Sequence, residues 1–212
     1  MPKVCIDAGH GGSDPGAVST SRREKDDNLL YAYELQKQFA AQGWAVVMTR
    51  TEDNNLPLAT RTAIANSNKC DIVLSCHRNS YSNPAANGAE IWLHSQAPQR
   101  YKDWAADNLS CFEEIGFTNR GVKLGHASGS GEYAINRDTI MPSMLIEAGF
   151  VTNDKDNALF DTAMSEICDA IVRGCCTFLG VEYKEPAPAV KTYTLDIGKL
   201  KEQGFSKIEI TL

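Results

Sequence analysis

The sequence predicts an α/β fold: a single, largely parallel, twisted sheet with helices on both faces, followed by a short C-terminal appendage. Three observations carry this expectation. Apolar runs of strand length alternate with stretches of helical periodicity through residue 180. Three of the runs, Val4 to Ile6, Ile72 to Cys76 and Met144 to Ile146, are apolar almost throughout, as strands covered on both faces are. Each run is followed closely by a side chain with metal-ligand chemistry: His10, His77 and Glu147. In open sheets of this kind ligands collect beyond the carboxyl ends of the strands, so the topology would bring two imidazoles and a carboxylate together.

Taken in order, the opening strand ends at Ile6 and runs into Asp7-Ala8-Gly9-His10-Gly11-Gly12-Ser13-Asp14-Pro15-Gly16. Glycine there lets the backbone turn sharply and approach a ligand closely. The loop has neither the Lys-Ser/Thr ending of a phosphate loop nor the spaced glycines of a dinucleotide site. Acidic Asp26 and Asp27 suit the positive end of a helix that presents Tyr31, Ala32, Leu35 and Phe39 on one side and stops at Gly43. Trp44 to Thr49 reads as a strand, and Leu58 to Asn66 as a short helix entered through Pro57. The strand before His77 comes next. Gly88 to His94 alternates as a strand should, and Tyr101, Trp104, Ala105 and Phe112 mark the buried face of a further helix. Glu132 to Asn136 is expected as a short strand before the one carrying Glu147. A last helix, Ala163 to Leu179, offers Ile167, Ala170, Ile171, Gly174 and Phe178 to the core.

Composition changes after Gly180. Residues 181–190 read as an extended Pro/Ala-rich linker, because each proline disfavours helix at its own position and the one before. Residues 191–212 hold two β-like runs, Thr192 to Ile197 and Lys207 to Leu212, around a short helix at Lys199 to Gln203. So small a segment cannot bury a core alone. It is expected to pack on the main domain, self-associate, bind the substrate surface, or await further residues.

The 212 residues are 42% hydrophobic and 23% charged, which excludes a disordered chain. A formal net charge of −6 argues against a nucleic-acid partner. Clustered Arg22, Arg23 and Lys25 read as a solvated loop. No apolar stretch is long enough to span a bilayer, and the N-terminus lacks a signal-peptide pattern; no membrane partner and synthesis in the cytoplasm are expected. The seven cysteines are an odd number and several lie inside apolar segments, as reduced, buried thiols would.

A catalytic zinc typically takes three His or carboxylate ligands and leaves a position open. His10 and His77 are the expected nitrogen ligands. His94 and His126 lack a comparable setting and read as structural or surface residues. Residue chemistry does not choose the third ligand among Asp7, Asp14, Glu24 and Glu147. Glu147 itself fits either a catalytic carboxylate or one neutralised by Arg120 or Arg137.

Several motifs occur in a fixed order: Asp7 to Ala17, Glu24-Lys25-Asp26, Thr49-Arg50, Arg61 to Asn66, Ser75-Cys76-His77-Arg78-Asn79, Asn119 to Lys123, and Pro142 to Phe150. Together they resemble the zinc-dependent N-acetylmuramoyl-L-alanine amidases of the type 3 amidase family, found in phage endolysins and bacterial autolysins. The resemblance spans Lys3 to Gly180 and implies a zinc amidase catalytic domain over residues 1–180. It implies Zn2+ on His10, Glu24 and His77, with Glu147 as the catalytic carboxylate. It also implies bacterial cell-wall peptidoglycan as the partner, cut at the amide between the lactyl group of N-acetylmuramic acid and L-alanine. In that role Glu147 would take a proton from water and pass it to the departing nitrogen. Arg78 departs from the family, which more usually has a small residue between the His and the Asn. That difference bears on substrate contacts, for which Asn79 and Asn119-Arg120 are further candidates. Synthesis without a signal peptide suits an endolysin or autolysin that reaches the wall after release. The rivals are another zinc hydrolase, such as a carboxypeptidase, and a wall-binding module with a degenerate site.

Overall fold

The computed structural model describes residues 1–185. The remainder of the expected linker and the segment 191–212, with its two β-like runs and short helix, lie outside the described residues. Six strands form one sheet: β1 (Lys3–Ala8), β2 (Ala45–Met48), β3 (Ile72–Asn79), β4 (Ala89–Leu93), β5 (Asn119–Leu124) and β6 (Ser143–Phe150). Their order across the sheet is β2-β1-β3-β6-β4-β5. Every junction is parallel except that between β4 and β6, so the largely parallel α/β expectation holds with one reversal.

The two faces are unequal. Along a strand, side chains alternate sides. Val4, Ile6 and Ala8 of β1, Ile72, Leu74 and Cys76 of β3, and Met144, Ile146 and Ala148 of β6 all enter the larger core. The helices α1 (Glu24–Ala41), α3 (Gln99–Ile115) and α6 (Met164–Leu179) cover it with Tyr31, Leu35, Phe39, Trp104, Phe112 and Ile171. The intervening residues face a smaller cluster of Cys5, Ala65, Cys70, Val73, Ile135 and Leu145, capped by α2 (Leu58–Ser67) and α4 (Ala134–Asp138). That thinner face also receives Asp7, Ser75, His77, Glu90 and Glu147 by the same alternation. One face is therefore given to packing and the other to chemistry.

Several elements differ from expectation. Residues 132–136, expected as a strand, lead instead into the helix α4: Ile135 is buried in the smaller cluster and Asn136 is held by hydrogen bonds to Trp92 O and Ser143. The edge beside β4 that a strand could have joined belongs to β5, whose half-exposed residues and central Gly121 give no alternation to read. α5 (Asp154–Thr162) is also additional, although its Asn153 cap, which accepts from Asp156 N, is a readable start signal. α1 begins at Glu24, so that residue sits in the first helical turn. β3 and β6 continue past His77 and Glu147, which therefore lie inside strands.

Of the clustered cations expected in a solvated loop, Arg23 is exposed, Arg22 is half-buried and Lys25 lies in the first turn of α1. Lys25 is buried, donating to Gly12 O and Asp53, and Arg22 donates to both Asp27 and Asp161. Six of the seven cysteines are buried, Cys111 is half-buried, and all seven are free thiols. After Gly180, Val181 and Tyr183 pack on the core, while Gln42 and Lys184 exchange two hydrogen bonds. The first part of the expected linker is thus docked along α1 and α6. Among the described residues, no helix is long and apolar enough to cross a membrane.

Candidate metal centre

His10 lies just after β1, His77 within β3 and Glu24 in the first turn of α1, and a ligand atom of each falls within 4.8 Å of the others. The parallel β1–β3 pairing brings the two histidines together, since Ala8 is in register with Cys76. Glu24 joins them because α1 packs across β1 and β3. Glu24 Oε2 is 3.2 Å from His10 Nε2, and Oε1 is 2.8 Å from His77 Nδ1.

Each donor is held by partners behind it. His10 Nδ1 sits 2.8 Å from Asp14 Oδ2, which leaves Nε2 facing the other donors. Glu24 accepts from Ala17 N at 2.8 Å, Arg78 N at 3.1 Å and Asn28 Nδ2 at 3.2 Å. His77 lies against Gly9 so closely that an added Cβ would be 2.3 Å from its Cε1. A side chain at Gly16 would likewise meet Glu24 Oε2 and His10 Cδ2, both at 2.6 Å. At these two glycines a side chain would displace the donor groups themselves.

Two buried guanidinium groups fix the backbone that carries His10. Arg50 donates to Ala8 O and Gly9 O, and Arg61 donates to Ala8 O and His10 O. They hold His10 itself in a left-handed conformation, φ 60°, uncommon outside glycine. Asp7 lies beneath, accepting from Thr49, Arg61 and Ser75. Burial opposes its charge, but Arg61 and these hydrogen bonds outweigh it and keep its carboxyl below the usual range. The motifs around Arg50 and Arg61 were visible in the sequence, but nothing local marked them as supports for the loop.

Glu147 is directly opposite His77 in the β3–β6 register and lines the same cleft, a cavity of about 490 Å³. Neither expected neutraliser reaches it: Arg120 donates to Glu90 and Arg137 to Asp138. Its Oε2 is buried with no hydrogen-bond partner among the described residues. Burial, then the carboxylates of Glu24 and Glu90, push its proton affinity well above that of an ordinary glutamate. Burial also opposes the charges of His10 and Glu24, yet their mutual contact prevails. His10 rises to about 9, and Glu24, bonded to His10 and His77, falls well below the usual range. A cluster that holds protons this way, beside an orphaned carboxylate oxygen, is the donor set a divalent cation would satisfy.

The remaining candidates separate. Asn79 borders the cleft and donates to Glu90. Asn119 and Arg120 do not line it. Arg78 borders the cleft and its backbone N–H donates to Glu24, while its guanidinium, wholly buried, bonds Asp27 and Asn157 and lies 4.0 Å from the centre of the Phe160 ring. Its departure from the family pattern is therefore absorbed by the packing side of the sheet. His126, expected as a structural or surface residue, lines the cleft against Tyr133, with ring centres 4.2 Å apart. His94 stands 3.9 Å from Glu132.

Fold and site define a class: α/β proteins with a His-Glu-His donor set and a buried carboxylate in a cleft at the carboxyl ends of parallel strands. Comparison with known proteins gives that class its family. The chain belongs to the N-acetylmuramoyl-L-alanine amidase family (Amidase_3), whose profile matches residues 4–176. It is 33% identical over 175 residues to the uncharacterized protein YqiI of Bacillus subtilis (strain 168), covering 81% of this chain and 82% of YqiI. It is also 33% identical over 160 residues to the probable cell wall amidase LytH of Staphylococcus aureus, covering 74% of this chain but half the length of LytH. Among solved structures, the catalytic domain of CwlV, an N-acetylmuramoyl-L-alanine amidase from Bacillus (Paenibacillus) polymyxa var. colistinus, superposes with a TM-score of 0.76 at 31% identity. That match covers 86% of this chain and all of the CwlV domain.

Proposed function

We propose that this chain is a zinc-dependent peptidoglycan hydrolase, an N-acetylmuramoyl-L-alanine amidase that cleaves between the lactyl carbonyl of N-acetylmuramic acid and L-alanine of the stem peptide. His10, Glu24 and His77 hold Zn2+ in this reading, and Glu147 is the catalytic carboxylate. The observation that carries it is the meeting of three donors from separate elements within 4.8 Å, in the cleft that also holds the unpartnered Glu147. Zinc bound by such a set supplies Lewis-acid polarisation of the amide carbonyl and lowers the pKa of water. Asp14 fixes the His10 ring with Nε2 turned to Glu24, so that this nitrogen would be free to hold the cation. Ala17 N, Arg78 N and Asn28 orient the Glu24 carboxylate. Glu147, with its raised proton affinity, takes the proton of the attacking water and returns it to the alanine nitrogen as the C–N bond breaks.

The enzyme is proposed to serve as a phage or prophage endolysin, or as an autolysin, acting on the cell wall. Residues 191–212 are proposed to bind the wall or a second copy of the chain. The test is product analysis on purified walls. An amidase frees L-alanine amines and leaves glycan without peptide; a carboxypeptidase would instead release C-terminal residues. Removal of metal with a chelator should stop lysis, and added zinc should restore it. Full activity after complete metal removal would refute the zinc assignment. Sedimentation with walls that stay uncut in the presence of zinc would favour a binding module.

A further inference from the structure

We propose that Arg137 recognises a carboxylate on the peptide side of the scissile amide. The enzyme would then select stem peptides whose second residue carries a free carboxylate over those carrying a carboxamide. The inference rests on the amidase reading above and names the substrate subclass that reading leaves open.

The charge pattern of the cleft is the first ground. Its lining includes the carboxylates Glu24, Glu132 and Glu147. Two of its three arginines, Arg61 and Arg78, have buried guanidinium groups committed to internal partners. Arg137 is different, with a side chain 55% exposed. Among the described residues lining this cleft, Arg137 offers an anionic ligand the one accessible guanidinium.

The mounting of Arg137 is the second ground. On one side of it, Asn136 donates to Trp92 O at 2.9 Å and accepts from the Ser143 hydroxyl at 2.9 Å. On the other, Asn66 Nδ2 donates to Asp138 O at 2.8 Å, and Ile140 N donates to Asn66 Oδ1 at 3.0 Å. The backbone of an exposed arginine is thus tied to β4, β6 and α2. A ligand bound there would not have to order the segment first.

The guanidinium also has capacity to spare. Its Nε and Nη2 donate to Asp138 at 2.7 and 2.8 Å, while Nη1 makes no hydrogen bond among the described residues. An exposed ion pair between chain neighbours is screened by solvent and adds little to stability. A substrate carboxylate can therefore take the Nη1–Nη2 edge, or replace Asp138 on the other edge, with two parallel hydrogen bonds.

Location supplies the last ground. Arg137 lines the cleft from α4, and its hydrogen bonds go to Asp138 and not to His10, Glu24, His77 or Glu147. Arg137 therefore stands away from the reacting atoms, on the cleft wall. A peptide leaving the cleft through its alanine nitrogen carries its first carboxylate on the second residue, one extended step of roughly 3.3–3.6 Å further along.

The experiment uses the zinc-loaded full chain and two N-acetylmuramoyl-L-alanyl peptides, identical except for a carboxylate or a carboxamide on the second residue. The wild type should prefer the carboxylate by about ten- to a hundredfold in kcat/KM, the span expected of a charge-assisted hydrogen-bonded pair. Arg137→Ala should abolish the preference through a higher KM for the carboxylate peptide, and Arg137→Lys should keep part of it. Thermal melting of both variants checks that they are folded, and the ratio between the two peptides is insensitive to a general loss of active protein. Equal rates on both peptides by the wild type, or a preference that survives Arg137→Ala, would overturn the inference while leaving the amidase reading intact. Cleavage of neither peptide by the wild type would overturn both.

Discussion

Gly9 and Glu147 show how much of this site depends on single atoms. A Cβ on Gly9 would overlap the His77 ring at 2.3 Å, with the Cys76 carbonyl 2.9 Å away on the strand, so the ring must give way. Gly9→Ala should therefore weaken zinc binding by about 10- to 100-fold, the range for disturbed ligand support, as read by competition with a chromophoric chelator. Wild-type affinity in that variant would mean His77 is not a ligand. Glu147→Gln keeps the shape and removes the titrating oxygen. It should retain metal, measured by elemental analysis, while turnover falls by about 10²–10⁴. Near-normal turnover would remove Glu147 from the reaction. His10, His77 and Glu147 were all legible in the chain, because each follows an apolar run. Glu24 was not: a glutamate opening a helix is what the helix dipole favours anyway, and only the family resemblance singled it out. The distance of 2.8 Å to His77 is created by the packing of α1 on the sheet.

At the scale of elements, Asp7 ties β1 to Thr49 just after β2, to Ser75 in β3 and to Arg61 in α2. Its carboxyl is held below the usual range in the folded chain. The stabilisation it contributes is therefore complete above the unfolded value of about 4 and drains away as pH falls through that value towards the folded one. Asp7→Asn leaves Arg61 buried without its counter-charge, which should cost about 3–5 kcal/mol. Urea melts between pH 7 and pH 3 should show the wild type losing stability below about pH 4, and the variant, weaker throughout, losing less. Parallel pH curves for the two proteins would show that Asp7 is not charged in the fold. Elements also mark where local reading stopped. Residues 132–136 have the composition of a strand, but the place beside β4 is taken by β5 and Ile135 instead joins the cluster under α2. β5 escaped notice because an edge strand with a central glycine needs no apolar alternation to pair with β4.

The whole molecule has an end that differs from the one its composition implies. A chain ending at Glu185 keeps the docked residues and is the reference for a shorter one. Shortening it after Gly180 removes Val181 and Tyr183 from the core and the Gln42–Lys184 pair, and should cost about 1–3 kcal/mol, visible as a fall of several degrees in Tm. Equal Tm values for the two truncations would show that residues 181–185 contribute nothing. The sequence by itself determined the alternation of strands and helices, the largely parallel sheet and the delivery of two imidazoles to the carboxyl-terminal side of β1 and β3. These follow from periodicity within ten or so residues, where side-chain alternation and turn chemistry decide the outcome. Only the tertiary structure decided that Glu24 comes within reach of both histidines, that Arg78 turns to the packing face, that α4 forms along the cleft and that β4 and β5 run against the rest. Each of those outcomes is set by contacts between residues far apart in the chain, whose energies no local window contains.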